Sequence, residues 1–248
     1  PERESVMMTQ SRTEHVITGN FDRRRVVNAF VLYAHTLSAY GKMRLELFAD
    51  DDQSGVINYD SGLIYARRRI PLQLLRIGVD PWGAVYGDDL TAASPLWFNS
   101  VFAKSYRVTL YDQPSTKLPS YITAQMMMIG RYWSPEANFS WNPTIQWMQE
   151  VQHSRSEGKT LHSEGTQEKY RRIGFNLEWL SEGDATLLYE FIRQYGGLKE
   201  FYVSMYPHYR YEIREIEHSL MMRFTGELPP RTHTHPHTYS VPIEGEEI

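Results

Sequence analysis

The stretch YRRIGFNLEWLSEGDATLLYEFIRQYGGLKEFYVSMYP, residues 170–207, carries the clearest local structure signals in the chain. Its first part alternates polar with apolar side chains, and the apolar positions are Ile173, Phe175, Leu177 and Trp179. A period of two puts these side chains on one face of a β-strand. The stretch is therefore expected to begin with a strand that has a single apolar face.

The middle of the same stretch, SEGDATLLYEFIRQYGG (181–197), predicts an α-helix. Ser181 is suited to cap the helix, and Asp184, three residues later, completes a start that resembles a capping box. One apolar stripe follows at helical spacing, formed by Leu187, Leu188, Phe191, Ile192 and Tyr195. Gly196 and Gly197 end the helix. A second strand then follows, with Phe201, Val203 and Met205 pointing inward.

The sequence before this stretch also favours strands. Met43, Leu45 and Leu47 alternate with charged residues, and residues 106–110 repeat that pattern. Residues 121–130 are apolar at consecutive positions, which is typical of a covered central strand. Residues 26–37 fit either a buried strand or a short helix. We therefore expect a mainly β chain, with a jelly-roll-like β-sandwich followed by a smaller β-rich α+β domain containing one helix.

Changes in composition suggest five segments. Residues 1–20 are expected to form a flexible N-terminal arm, and residues 21–135 the sandwich domain. A connector with an exposed loop covers 136–168, and the strand-helix-strand domain covers 169–226. Pro229 and Pro230 stop the last predicted strand, so residues 227–248 are expected to be an extended C-terminal tail.

Composition excludes several classes of function. The chain has no cysteine, which excludes disulfides, thiolate metal sites and cysteine nucleophiles. A net charge of −4 argues against general attraction to nucleic acid, and the sequence has no apolar run long enough to span a membrane. The sequence contains no nucleophile elbow, phosphate-binding loop, zincin helix or dinucleotide-binding turn. We therefore expect neither an enzyme nor a bound cofactor.

Three polar clusters are better explained as solvated surface than as sites. The turn DDDQSG (50–55) resembles the start of a calcium loop, but its twelfth position is Ser61 rather than glutamate. The triplets Arg23–Arg25 and Arg67–Arg69 are interpreted as solvated faces or inter-subunit ion pairs rather than phosphate sites. His153 and His162 lie in a polar stretch that is interpreted as a solvated loop.

Large aromatic residues form one set of candidate contact sites. The segment 79–100 is interpreted as a long loop, and such loops usually bind something or form interfaces. The candidates for contact with sugar or with a protein neighbour are Trp82, Trp97, Trp133 and Trp141.

The segment RTHTHPHTYS (231–240) is the other candidate site. In an extended chain, His233, His235 and His237 share one face, and imidazole nitrogens are ligands for borderline metals. Pro236 interrupts ladder pairing, and one strand rarely completes a coordination sphere alone. Three interpretations stay open: a solvent-facing polar tail, contact with a neighbouring chain, or a structural metal ion held partly by another chain.

Two stretches carry a family resemblance. Residues 170–207, preceded by the polar stretch RSEGKTLHSEG (155–165), resemble proteins at the distal end of the tail tube in long-tailed bacteriophages. Residues 100–141 resemble a segment of the galactose-binding-like jelly roll found in phage virion proteins. The order differs from that of common distal tail proteins, which place the tube-like domain first.

The resemblance implies a structural protein of the virion, made in the host cytoplasm, that forms or decorates a ring at the distal tail end or baseplate. Its implied partners are other copies of itself and the tail tube, hub or fibre proteins, without nucleic acid and without membrane insertion. The alternative implied function is that of an accessory module that contacts sugars on the host surface.

Overall fold

The structure, a computed structural model, describes residues 7–9, 11, 13–51, 53, 55–87, 90–113, 119–140, 143–155, 161–207, 213–225, 228–235 and 237–248. Its strands in chain order are β1 (Met7–Met8), β2 (Glu14–His35), β3 (Lys42–Phe48), β4 (Ile57–Asp60), β5 (Ile64–Tyr65), β6 (Ala93–Tyr111), β7 (Thr123–Gly130), β8 (Thr144–Arg155), β9 (Leu161–Leu180), β10 (Phe201–Ser204), β11 (Ser219–Phe224), β12 (Thr232–His235) and β13 (Thr238–Glu247). The helices are α1 (Glu182–Tyr195) and α2 (Ile213–Glu217), and Leu72–Leu74 form a 3₁₀ turn.

The chain is mainly β, as the sequence predicts, with two antiparallel sheets and little helix. It divides into two compact units. The first unit contains residues 1–132 together with 205–218, and the second contains residues 133–204 together with 219–248. The prediction that residues 169–226 form one domain is therefore wrong at 205–218, because this segment belongs to the first unit.

The first unit is built on one sheet whose strand order is β1-β7-β2-β6-β3-β4, with β5 beside β3. The two longest strands there, β2 and β6, pair along most of their length, and their register shifts twice. Strand β3 pairs with one half of β6, whereas β7 pairs with the opposite half of β2. Side chains of β3 and β7 nevertheless share one hydrophobic core. The sheet therefore bends so that its two halves form two layers around one core. The long strands β2 and β6, whose pairing is bulged, run through both layers and give the unit its sandwich character.

The core of this unit follows the alternation in the sequence. Met43, Leu45 and Leu47 of β3 are fully buried, and so are Val108 and Leu110 of the adjacent strand β6. Full burial of one such side chain contributes about 2 kcal/mol. The expected strands at 42–48 and 106–110 are confirmed, and residues 26–37, which were open between strand and helix, are mostly strand.

The expected N-terminal arm is wrong from residue 14 onward. Strand β2 already begins at Glu14, which pairs with Tyr111 of β6. In the region 14–20, the partly buried residues are His15, Ile17 and Gly19, at every second position. This is the period expected of a strand that covers one face of a sheet.

The second unit has a sheet of order β10-β11-β13-β9-β8, with β12 beside β13, and helix α1 connects β9 to β10. The predicted helix is confirmed. The Ser181 hydroxyl accepts a hydrogen bond of 3.2 Å from the backbone N–H of Asp184, and Gly196 ends the helix with φ at +57°. The apolar stripe is narrower than predicted, because Leu187 and Tyr195 are exposed while Leu188 and Ile192 are buried.

The predicted apolar face of β9 is wrong at its last position. Ile173 and Leu177 are buried, but the side chain of Trp179 is 56 % exposed and Leu180 takes the buried position. Trp179 has φ at +62°, and the register with β13 shifts at the same point. A bulge adds one residue to the strand locally, so the side chains after it change faces.

The expected C-terminal tail is wrong, because β13 is an interior strand of the second sheet. It pairs with β9 on one side, and with β12 and β11 on the other. Tyr239, Val241 and Ile243 alternate into the core. Pro242 lies between the part of β13 that pairs with β12 and the part that pairs with β11. On that side of β13 no described strand pairs with Pro242, so its missing backbone N–H leaves no ladder hydrogen bond unmade.

The expected connector at 136–168 is also wrong over much of its length. Strand β8 occupies Thr144–Arg155 and β9 begins at Leu161, so most of this segment is a long antiparallel hairpin. Polar residues at 152–155 and 161–164, which suggested a solvated loop, therefore lie in paired strands.

Candidate functional site

A cleft of about 440 Å³ on the first unit is the candidate binding site among the described residues. It combines three kinds of side chain. Its cations are Arg67, Arg68 and Arg69; its aromatic residues are Tyr40, Tyr65 and Trp82; and its aliphatic residues are Ile70, Pro71, Leu72 and Leu75. The volume lies within the range of about 300–1,000 Å³ that is typical of small-ligand clefts.

Hydrogen bonds between two short segments build the wall of the cleft. The backbone N–H of Ile70 donates to the carbonyl of Ala84 at 2.8 Å, and that of Tyr86 donates to the carbonyl of Arg68 at 3.0 Å. Arg69 and Val85 form an antiparallel bridge between these bonds, and the Val85 side chain is buried. The arginines therefore lie on a paired segment rather than on an irregular loop.

An ion pair between Arg76 and Asp80 stabilises the loop between these segments. The Arg76 guanidinium donates to both carboxylate oxygens of Asp80 at 3.0 and 2.9 Å, and the Arg76 backbone N–H donates to Asp80 at 2.7 Å. These bonds hold the pKa of Asp80 below its usual value. At the rim, the Trp82 side chain is 78 % exposed.

Aromatic rings fix the position of the cleft's cations. The guanidinium carbon of Arg69 lies 5.0 Å from the ring centroid of Tyr40 and 4.9 Å from that of Tyr65. Arg68 lies 5.0 Å from the ring of Tyr86. Cation–π attraction holds a guanidinium by its flat face, which keeps its N–H edge available for an oxygen acceptor.

The cleft has unused hydrogen-bonding capacity. The ion pairs among the described residues of this unit do not include Arg68 or Arg69. The Nη1 atom of Arg68 is buried and has no hydrogen-bond partner within the described part of the chain. A buried donor left in this state costs about 1–3 kcal/mol. Arg69 is exposed, so it is the arginine of this pair that an oxygen acceptor in the cleft can reach.

A buried histidine anchors the start of the arginine segment. The Leu37 backbone N–H donates to Nδ1 of His35 at 3.3 Å, so the neutral ring carries its proton on Nε2, which lies 2.7 Å from the Ser94 hydroxyl. Ser94 in turn donates to the carbonyl of Ala66, the residue before Arg67. Burial, reinforced by the charge of Arg67 and opposed by that of Asp112, lowers the pKa of His35 to about 3.

The four candidate tryptophans have different surroundings. Trp82 lines the cleft, whereas Trp97 lies in β6 rather than in the expected loop. The Trp97 indole N–H donates to the buried carboxylate of Glu215 at 2.7 Å, so this ring has a structural contact within the first unit. Contact of Trp97 with sugar or a protein neighbour stays a prediction. Trp133 is partly exposed in the second unit, and Trp141 lies outside the described residues.

The histidine cluster forms a hairpin rather than one extended face. His233 lies in β12 opposite Tyr239, and the two rings are 4.4 Å apart. His237 has φ at +69° in the turn, which ends the alternation that the shared face requires. The His235 side chain lies outside the described part, and the described residues contain no group of three metal-ligating side chains. Metal binding at His233, His235 and His237 stays a prediction, which metal analysis of assembled material tests against a triple alanine variant.

The outer part of the β8–β9 hairpin is the second candidate site. Strand β13 accompanies β9 only as far as Arg172, whereas the pairing of β8 with β9 continues to Arg155 and Leu161. From Trp147 and Arg171 outward, the two strands therefore form a ribbon with no third strand among the described residues. We call this segment, 147–155 with 161–171, the ribbon.

The ribbon has a defined bend. Its register shifts between Gln149 and Val151, opposite Gly165. A Cβ atom at Gly165 would overlap the backbone carbonyl oxygen of Glu150. Glycine is therefore needed for the close approach of the two strands, and the bulge sets the direction of the outer ribbon.

Sequence reasoning missed the cleft and the ribbon. It treated Arg67–Arg69 as a solvated face, because the ring of Tyr40 that holds Arg69 comes from a distant part of the chain. It treated the ribbon as a loop, because polar strands carry no apolar alternation. The only sequence signal for the cleft was the combination of Tyr65 with the arginine triplet and Trp82.

The chain matches no protein-family model, no curated protein and no solved structure. No helix in the described ranges is long and apolar enough to cross a membrane.

Proposed function

We propose that the chain is a structural protein of a bacteriophage tail that forms or decorates a ring at the distal end, in the tail tip or baseplate. The ribbon is the observation that carries this proposal. The partners proposed for the chain are other copies of itself and the tube, hub or fibre proteins, in line with the resemblance of residues 155–207 to distal tail proteins.

The ribbon has the properties of an assembly arm. A two-stranded ribbon is marginally stable by itself in water and gains stability when another element covers or extends it. Strand β8 is the last strand of its sheet in the described part, so its outer edge offers N–H and C=O groups to a neighbouring strand. Trp147, half exposed at the base of the ribbon, adds an apolar contact.

Such a contact is heterologous, because the ribbon of one copy meets a different surface on the next. Contacts of this kind close into rings when the rotation per copy divides a full turn. Leu187, Tyr195 and Leu198, at α1 and just beyond it, are exposed and give the second unit further apolar surface for a neighbour.

Electron microscopy of the purified full-length chain tests the proposal. The matched variant replaces residues 152–164 with an Asn-Gly turn, which keeps the inner ribbon and suits a two-residue hairpin. We expect rings from the native chain, and monomers or open oligomers from the variant. Identical oligomers from both proteins would show that the ribbon does not hold the assembly, and a native chain that stays monomeric and is absent from virions would end the proposal.

A second candidate function, contact with host surface sugars, is favoured by Trp82, which exposes its indole at the rim of the cleft. Aromatic faces stack on the apolar faces of sugar rings. A glycan array with the native chain and with Trp82→Ala tests it. Binding that is lost in the variant supports this function, and an array without binding removes it.

A further inference from the structure

We infer that the Arg67–Arg69 cleft binds an acidic saccharide, that is, a sugar ring carrying a carboxylate or sulfate group. This inference rests on the second candidate function and adds the chemical class of the ligand. It combines two features of the cleft: the guanidinium groups of Arg68 and Arg69, which have no carboxylate partner among the described residues, and an exposed indole at the rim.

Arg69 is the group that recognises the acid. Its guanidinium carbon lies 5.0 Å from the ring centroid of Tyr40 and 4.9 Å from that of Tyr65, so two aromatic contacts restrict its position before a ligand arrives. A planar guanidinium presents parallel N–H donors that match the paired oxygens of an oxyanion. The described lining of the cleft holds arginines and no carboxylate, so its charge favours an anion.

Arg68 adds a second positive charge to the lining of the cleft. Its Nη1 atom is buried without a partner in the described part of the chain, although its guanidinium is otherwise supported by Tyr86. Because that atom is covered by protein, Arg68 contributes to anion binding through its charge.

The size and the rim of the cleft favour a sugar over a polymeric phosphate. Nucleic-acid grooves follow a backbone over many nucleotides with distributed cations, whereas these arginines lie on one short segment of a chain of net charge −4. The cleft volume of about 440 Å³ suits a small ligand. Trp82 at the rim and Leu72 and Leu75 in the lining give a ring an apolar surface.

Calorimetric titration of the full-length chain with three oligosaccharides of equal length tests the inference: one carboxylated, one sulfated and one neutral. We expect at least one acidic probe to bind and the neutral probe to bind at least about tenfold more weakly. Whichever acidic probe binds identifies the acid group.

Variants separate the cleft from general charge effects. Arg69→Gln is expected to weaken the binding of the acidic probe about tenfold or more, and Arg69→Lys, which keeps the charge but loses the planar donors, to weaken it less. Arg24→Gln removes the same charge from an exposed arginine outside the cleft and should change affinity less than about twofold. Circular dichroism melts check that each variant is folded.

The outcomes distinguish the inference from the function on which it rests. Equal binding of neutral and acidic probes that is sensitive to Trp82→Ala but not to Arg69→Gln keeps sugar contact and overturns the acid specificity. Equal losses from Arg24→Gln and Arg69→Gln overturn the site. If none of the probes binds, both the inference and the second candidate function are rejected.

Discussion

Arg171 and Glu247 form a buried ion pair at the point where the ribbon leaves the sheet. The Glu247 carboxylate accepts hydrogen bonds from Nε and Nη2 of Arg171 at 2.8 and 2.5 Å. It also accepts one from the Arg171 backbone N–H at 3.1 Å. The side chains are only 3 % and 9 % exposed. Because β13 ends here, the carboxylate satisfies a strand N–H that would otherwise have lost its ladder partner.

This pair is predicted to stabilise the second unit. Glu247→Ala removes the carboxylate that pairs with the buried Arg171 guanidinium, and loss of one partner from a buried pair costs about 3–5 kcal/mol. Urea denaturation measures the change. The neighbouring pair, Arg172 with Glu246, is the control: its side chains are 44 % and 27 % exposed, so Glu246→Ala is expected to cost much less. Equal losses in the two variants would contradict the assigned role.

His35 is predicted to make stability depend on pH in a defined window. Its pKa is about 3 in the folded chain and 6.5 when unfolded, so between these values the unfolded state binds a proton that the folded state does not. The contribution is fully present above pH 6.5 and is lost progressively as pH falls towards 3.

The free energy of unfolding should therefore drop by about 1 kcal/mol between pH 7 and pH 5.5, above the range in which most carboxylates titrate. Denaturant titrations at both pH values measure the drop in the native chain and in His35→Gln. The variant is expected to be less stable at pH 7 and to show a smaller drop. A variant with the native pH dependence would show that His35 is not the titrating group.

Two tryptophans that look equivalent in the sequence are predicted to respond differently to substitution. Trp97→Phe removes the N–H donor from the buried carboxylate of Glu215 and should cost about 2 kcal/mol or more. Trp82→Phe changes an exposed ring and should alter stability by less than about 0.5 kcal/mol. Urea titrations of both variants give the comparison, and similar values would refute the assignment of Trp97 as structural.

Gly165 is predicted to control the local order of the ribbon. Gly165→Ala places a Cβ atom against the Glu150 carbonyl, so the strands must separate at the bulge. Amide hydrogen exchange should become faster at residues 151–155 while the rest of the second sheet stays protected. Gly130→Ala is the matched control, because a Cβ there meets nothing within 4 Å. Unchanged exchange in Gly165→Ala would mean that the ribbon accommodates the side chain.

Local signals in the sequence predicted the parts of the fold that depend on local physics. The alternation of Met43, Leu45 and Leu47 identified β3, and Ser181 with Gly196 marked both ends of α1. The same logic failed at Trp179, where a bulge reversed the faces. It also failed at β13, because Pro229 and Pro230 suggested that the strands end before it, whereas the pairing of β13 with β9, β11 and β12 is a property of the sheet.

The candidate cleft was less predictable than the fold. The contact of Arg69 with Tyr40 depends on how the chain folds back on itself, and among its two aromatic contacts only Tyr65 lies near the arginine triplet in the sequence. The prediction of Trp82 as a contact residue came from its place in a long segment rich in turn residues. Trp97 came from the same segment, and only its hydrogen bond to Glu215 separates the two.

The most direct test of the central claim is to locate the chain in assembled phage particles. Antibodies raised against the purified chain, coupled to gold, should label the distal end of the tail by electron microscopy, and mass spectrometry of the same particles should detect the chain in several copies. Particles that lack the chain, or that carry it only away from the tail, would contradict the proposed function.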